Sequence, residues 1–364
     1  MRNTFLLRIQ LMKKILIIQN KRIGDVLLSS IIANNIKTVF PDSEVHFFAY
    51  DYASAVLEHN PNIDHIIKVN DKELKKPLNL IRQIITIRKA KYDIIFDAYS
   101  KFQSRMMCLF SKAEYRIGFK REHKTLKLPF YTHPVNFLEK SSKSCGKALE
   151  DRVNIIDAVF PIEAPDYVPK LFLTDVEKQY DRLNHQKSPT IMLGVLGSTP
   201  QKSMPYDYVA DVVNYITKTY NANILFNYAP HQKPEALKIY EKCVDKDQIH
   251  LDIYEDSVRG FIKLMNKCDI LVANEGGSVH MAKALNKPTF TIYSPYILKD
   301  HWASFEDGTM HESIHLLEEK PNLYPADREQ RKAIEKDPTQ LYRALTPDLI
   351  IKKLDTFLKY HIKS

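Results

Sequence analysis

Glycine is scarce in this sequence, with nine among 364 residues, and cysteine scarcer still, with four. Each glycine beside a turn is therefore more informative than usual. Cys108, Cys145, Cys243 and Cys268 lie far apart and form no C-x-x-C pair, which argues against a zinc ribbon or a disulfide framework and for reduced thiols. No apolar run approaches the ~18 residues of a membrane span. Met1 to Lys14 carries charges but no apolar signal core, and Met12 reads as an alternative start that would leave residues 1–11 as an extension. The expectation is a soluble, intracellular protein with at most peripheral membrane contact. Also missing are G-x-x-x-x-G-K-[ST], G-x-G-x-x-G, H-E-x-x-H and G-x-S-x-G, so the commonest phosphate, dinucleotide, zinc-protease and serine-hydrolase signatures are absent.

What is present is ordinary globular composition, 44% hydrophobic and 27% charged, in a length that predicts two domains,. Lys plus Arg exceed Asp plus Glu by 53 to 44, a formal +9 that points to an anionic partner of some kind. Short β-rich runs alternate with helical patterns. Lys14 to Gln19 is almost wholly apolar, as in a strand buried on both faces. After the turn Asn20 to Gly24, Asp25 reads as the N-cap of a helix with Val26, Leu27, Ile31, Ile36, Val39 and Phe40 on one face,. Glu44 to Tyr50, Ile63 to Val69, Tyr92 to Ala98 and Tyr115 to Phe119 follow as strands, with helices at Leu78 to Lys89, Phe102 to Phe110 and Asp151 to Phe160. Pro161 to Pro169 reads as the start of a linker. The alternation resumes with strands at Ile191 to Val195, Ala222 to Tyr228, Ile249 to Leu251, Ile270 to Ala273 and Thr289 to Tyr293. Tyr206 to Tyr220, Pro234 to Val244, Ser257 to Lys267, Val279 to Leu285 and Thr346 to His361 are the helices of this half. The pattern predicts two doubly wound α/β domains facing across a cleft, residues 12–170 and 185–345, with a closing helix over 346–364. Ligands of such sheets bind at the carboxyl ends of the strands.

Three strand-end segments carry candidate chemistry. In Lys21-Arg22-Ile23-Gly24-Asp25, Gly24 allows a tight turn, and Asp25 is either a simple N-cap or a base for a substrate hydroxyl. Gly197 to Lys202 offers backbone amides, the hydroxyls of Ser198 and Thr199 and the Lys202 charge, either as a phosphate-binding set or as an ordinary polar loop. Asn274-Glu275-Gly276-Gly277-Ser278 opens a helix whose amides suit an anion. Glu275 is placed to accept from a ribose hydroxyl, and His280 is either packed or a phosphate contact. Asp245-Lys246-Asp247 has a metal-type spacing but reads as a solvated turn, so no metal is assigned.

Taken together, Ile17 to Asp25, Arg116-Ile117-Gly118-Phe119, Lys202-Ser203-Met204-Pro205 and Asn274 to Leu285 resemble, in order, the lipopolysaccharide heptosyltransferases of glycosyltransferase family 9, over nearly the whole chain. The resemblance implies the GT-B glycosyltransferase fold and inverting, metal-independent transfer of a heptose. The donor it implies is a nucleotide-sugar, usually ADP-heptose, with no further cofactor. The acceptor is a glycolipid of the lipopolysaccharide core or a related surface glycan, met in the cytoplasm at the inner face of the cytoplasmic membrane. Asp25 then matches the base and Lys202 the lysine on the donor phosphates. Ser198, Thr199, Tyr228 and Asn274, Glu275, Gly276, Gly277, Ser278 and His280 fall on the donor side. Lys21, Arg22, Lys120 and Arg121 fall on the acceptor side, where Lys21-Arg22 either binds an anionic acceptor or is solvated. Two departures, Glu275-Gly276-Gly277 for the usual Asp-Thr-Gly and Met204 for the usual tryptophan, bear on which sugar and nucleotide are used. A related sugar-nucleotide enzyme such as an epimerase, a basic nucleic-acid-binding protein and a degenerate family member that only binds are the competing readings. The dispersed positive charge and the lack of an aromatic-basic motif weigh against nucleic acid. The sequence carries no signal for oligomeric state.

Overall fold

The computed structural model describes residues 13–121, 128–183, 188–325, 327, 329–330, 334 and 336–362. The expected extension 1–11, the domain limits at 12, 185 and 364 and residues 122–127 fall outside them. The chain divides into two compact units, Met1–Phe172 and Leu173–Ser364.

In the first unit, β1 (Lys14–Ile18), β2 (Glu44–Tyr50), β3 (His65–Val69), β4 (Ile94–Asp97), β5 (Tyr115–Phe119) and β6 (His133–Val135) form one sheet in the order β3-β2-β1-β4-β5-β6. Every pairing is parallel. Ile15 to Ile18 are fully buried, as continuous apolar runs in a doubly covered sheet must be. The helices include α1 (Ile23–Ser29), α2 (Ile31–Val39), α3 (Asp71–Leu74), α4 (Pro77–Ala90), α5 (Phe102–Ser111) and α6 (Lys147–Asp157).

Three expectations are corrected here. The single helix after Gly24 is two, because Ser30 turns both its N–H (3.1 Å) and its hydroxyl (2.7 Å) onto the Leu27 carbonyl, closing α1 early,. Asp25 is not the N-cap. Arg22 is, and Asp25 lies in the first turn, with Gly24 inside the helix rather than in a turn. The Pro161 to Pro169 segment belongs to the first unit, where the Asn35 side chain donates to the Asp166 carbonyl (2.7 Å) and accepts from its N–H (2.9 Å).

The second unit has β7 (Thr190–Gly194), β8 (Asn223–Asn227), β9 (Ile270–Asn274), β10 (Thr289–Ile292) and β11 (His311–Ile314) in the order β11-β10-β9-β7-β8, again all parallel. Its helices include α7 (Tyr206–Thr219), α8 (Lys233–Lys242), α9 (Val258–Lys267), α10 (Gly277–Ala284), α11 (Thr339–Ala344) and α12 (Pro347–His361). The expected strand Ile249 to Leu251 is only a one-residue bridge, Ile224 to Ile249. Helix α12 buries Ile350, Leu354, Phe357 and Leu358. Its Asp355 carboxylate accepts from the hydroxyls of Tyr215 and Tyr220, both at 2.6 Å, which fastens it to α7.

Each strand order reverses direction once, between β1 and β4 in the first sheet and between β7 and β9 in the second. Crevices for ligands open at such reversals, beyond the carboxyl ends of the strands. The Asp25 segment follows β1, and the Lys202 and Glu275 segments follow β7 and β9.

Candidate functional site

Asp25 is 8% exposed. Its Oδ1 lies 3.0 Å from Lys21 Nζ and 3.6 Å from Arg152 Nη2 of α6. Arg152 is itself oriented, its Nε donating to Ser29 Oγ (2.9 Å), which also accepts from Gln19 Nε2 (3.0 Å). Burial lowers the Arg152 pKa, and the neighbouring Asp25 and Asp151 oppose that shift. The carboxylate therefore sits at the sheet's reversal point between one half-exposed and one buried cation.

Of the expected acceptor-side residues, Arg22 and Lys120 are exposed. Arg121 lies with its guanidinium 5.0 Å from the centre of the Phe137 ring. Two further cations join them that the sequence reading missed. The Arg121 charge lowers the Lys101 pKa, followed by partial burial and by Lys21 and Arg105. Lys21, Lys101, Arg105 and Arg121 thus share one electrostatic neighbourhood. Asp97 at the end of β4 accepts from Ser100 N (2.7 Å), Tyr99 N (3.1 Å) and Tyr131 OH (2.8 Å). Gly118 makes that last bond possible, since a Cβ there would come within 2.4 Å of the Tyr131 ring.

In the second unit, Lys202 Nζ donates to Glu275 Oε1 at 3.0 Å. The Glu275 carboxylate is buried and also accepts from Ser294 N (2.8 Å) and Ser294 Oγ (2.9 and 3.0 Å). Tyr342 of α11 donates to Ser294 Oγ at 2.7 Å. The four residues form one chain of hydrogen bonds from α11 to the lysine. Gly197 shapes the loop before it: a Cβ at that position would lie 2.0 Å from the Lys202 carbonyl oxygen. No other residue lets the loop close this tightly.

Asn274 ends β9, Gly276 caps α10, and Gly277 and Ser278 supply its first amides. His280 is buried one turn in, its ring 6.3 Å from that of Trp302. Tyr228, just past β8, stacks on Tyr254 at 4.6 Å. Ser198 and Thr199 separate from Lys202. They line a cavity of about 710 Å³ with Met204, Tyr206, Gln232 and Tyr342, whereas Lys202 and Glu275 do not line it. Lys202, Glu275 and the α10 N-terminus are therefore brought together, and Ser198 and Thr199, expected beside them, line the neighbouring cavity. Ser294 and Tyr342 escaped the sequence reading because a lone Ser or Tyr far along the chain carries no pattern.

Helix α10 is anchored from below by Lys283, whose Nζ donates to the Ser304 carbonyl (2.6 Å) and lies 3.6 Å from Glu306 Oε1. Burial pushes the Lys283 pKa down to about 8, against the pull of Glu306. The unfolded chain then holds a proton that the folded one lacks between pH ~8 and ~10.5, so this group makes stability rise with pH across that window. Denaturant unfolding at pH 7.5 and 10.5 should show a rise of up to ~3 kcal/mol in the natural protein that is absent in Lys283→Met. An identical pH dependence in the two proteins would contradict the buried-lysine assignment.

The fold and these strand-end segments define a two-domain α/β protein with polar groups gathered at the carboxyl ends of two parallel sheets. Residues 80–323 match the sequence profile of glycosyltransferase family 9 (heptosyltransferase), and the chain belongs to that family. A lipopolysaccharide heptosyltransferase 1 of Campylobacter coli is 24% identical over 292 residues, covering 77% of this chain and 83% of that protein. Among solved structures, a family 9 glycosyltransferase of Veillonella parvula superposes with a TM-score of 0.77 at 17% identity, over 95% of this chain and 97% of that one. The ADP-heptose lipopolysaccharide heptosyltransferase II of Escherichia coli gives 0.70 at 16% identity, over 95% and 98%. The two parallel-sheet domains are thus those of the GT-B glycosyltransferases. No helix among the described residues is long and apolar enough to cross a membrane.

Proposed function

We propose that this chain transfers a heptose, with inversion, from ADP-heptose to a sugar of the lipopolysaccharide core or a related surface glycan. In this reading it works in the cytoplasm at the inner face of the membrane that carries the acceptor. The observation that supports it most is the split of the chemistry between the two sheet reversals. One holds a buried carboxylate, Asp25, paired with Lys21 and Arg152. The other holds an ammonium, Lys202, together with the N-terminus of the eight-residue helix α10.

An acceptor hydroxyl gives its proton to the Asp25 carboxylate as its oxygen forms the new bond to the anomeric carbon. The bond from that carbon to the donor's phosphate oxygen breaks on the opposite face, and ADP leaves with the electron pair. The departing charge falls to Lys202 and the α10 amides, which are fixed before the reaction and need no reorganisation. His280 and Asn274 line the same strand end, and Tyr228 with its stacked Tyr254 offers a flat aromatic surface to the base. Lys21, Arg22, Lys101 and Arg121 meet the anionic acceptor. This assignment gives the charge work to protein groups, so it needs neither a resident metal nor a cofactor besides the co-substrate, and it gives nucleic acid no part.

The donor is tested by thermal shift with ADP-heptose and with GDP- and UDP-sugars. A ligand at about a hundred times its Kd stabilises by ~2.7 kcal/mol, so ADP-heptose should raise Tm by several degrees and the UDP- and GDP-sugars should not. A shift with a UDP- or GDP-sugar alone would overturn the donor assignment.

A further inference from the structure

Helix α4 has apolar residues on opposite sides. Leu80, Ile84, Ile87 and Ala90 pack on the first unit's core, against the cluster that includes Leu16, Ile18 and Phe48. On the far side, Leu78, Ile81 and Ile85 are 71%, 51% and 46% exposed. At ~100° per residue these three fall within about 60° of arc, and a soluble helix normally gives that arc to polar residues.

The charge around this row is one-sided. Residues 71–91 contain Lys72, Lys75, Lys76, Arg82, Arg88, Lys89 and Lys91 against Asp71 and Glu73, which is seven minus two, or +5 of the chain's +9. All seven cations are exposed. The two acids pair within the segment, Asp71 with Lys75 (3.4 Å) and Glu73 with Lys76 (2.5 Å). The surface also adjoins the Asp25 end of the sheet. Helix α3 starts just past β3, at the carboxyl edge, and Gln103 Nε2 at the start of α5 donates to the Leu74 carbonyl at 3.0 Å. Phe102, 61% exposed, opens α5 beside Lys101 of the cation cluster.

We infer that the outer face of α4, with Phe102, docks this unit on an anionic lipid surface. Leu78, Ile81, Ile85 and Phe102 enter the acyl boundary, and Lys72, Arg82 and Lys89 reach the headgroup phosphates. An amphipathic helix with an apolar row and a basic rim is suited to this interface. Self-association through this face would set two +5 segments against each other. The inference deepens the proposed function by giving the enzyme a way to lie against the bilayer that carries its acceptor, and rests on that reading only for this purpose.

The test is sedimentation of the full chain with vesicles of phosphatidylcholine alone and of phosphatidylcholine with phosphatidylglycerol, without donor or acceptor. Binding to the anionic vesicles is expected, weakening as salt rises. Leu78→Ser/Ile81→Ser/Ile85→Ser should lower the partition coefficient at least tenfold. Arg82→Gln/Lys89→Gln should lower it about fivefold per charge removed. Both variants should keep the natural protein's far-UV circular dichroism and Tm, which separates lost docking from lost fold. The inference is overturned if the natural protein ignores anionic vesicles, if the serine variant binds as well as the natural protein, or if analytical ultracentrifugation shows a dimer that this variant dissolves. Because the assay contains no sugar nucleotide, a failed donor assignment leaves its outcome readable.

Discussion

Asp25→Asn should lower sugar transfer by roughly 10²–10⁴-fold, the usual contribution of a positioned general base, while leaving the donor's affinity within a few-fold of normal. The amide has the carboxylate's shape and still accepts from Lys21, whose Nζ is 3.0 Å away, so the local structure survives. What it loses is the capacity to take a proton from the attacking hydroxyl. Asn also leaves the buried Arg152 without its nearer anion, which predicts a small loss of stability in addition to the large loss of rate. Arg152→Lys should separate the two effects. It keeps a charge near Asp25 but lacks the planar donor set that holds Ser29 Oγ at 2.9 Å,, so the carboxylate is less well placed and the rate falls less than in Asp25→Asn. If Asp25→Asn transfers sugar at the natural rate under single-turnover conditions, Asp25 is not the base.

Lys202→Met should lower kcat/KM for the donor by roughly 10²–10³-fold, the scale found when one preorganised group on a developing charge is removed. It also strands the Glu275 carboxylate, buried at 7% exposure, with Ser294 as its remaining donor. Breaking such a pair from one side costs ~3–5 kcal/mol when both partners are deeply buried. The Lys202 side chain is 20% exposed, so roughly 1–3 kcal/mol is expected here. Lys202→Met/Glu275→Gln removes the unpaired charge, and should regain most of the stability with none of the donor turnover. Recovery of both together would make the lysine a structural partner of Glu275 and nothing more. Ser294→Ala and Tyr342→Phe each shorten the chain of hydrogen bonds that holds Glu275, and should give intermediate losses expressed mainly in the donor's KM.

The parallel strands were easy to read in the sequence because burial on both faces leaves an uninterrupted apolar run, as in Lys14 to Ile18 and Ile270 to Ala273. The edge strands β6 and β11 were not. His133-Pro134-Val135 and His311 to Ile314 are short and half polar, since an edge strand needs neither length nor a second apolar face,. The break at Ser30 was invisible for another reason. The apolar positions Val26, Leu27, Ile31 and Ile36 keep helical spacing straight through it, and only the hydroxyl's local bond marks the end of α1. Gly24, informative in the sequence beside an expected turn, lies inside a helix, whereas Gly197, like Gly118, has no room for a side chain. Asp25, Lys202, Glu275 and the α10 glycines could be found because each belongs to a multi-residue pattern in the segment after a strand, which a lone Ser294 past β10 does not. Arg152, Lys101, Ser294 and Tyr342 reach the same places from other elements, and nothing short of the fold brings them there.

The most direct test of the central assignment is the reaction product itself. The protein incubated with ADP-heptose and a core glycolipid acceptor should release ADP and form one new glycosidic bond, and NMR of the anomeric centre should show a configuration opposite to the donor's. A product of retained configuration would contradict a single displacement with Asp25 as its base, as would release of ADP and free sugar with no bond to the acceptor.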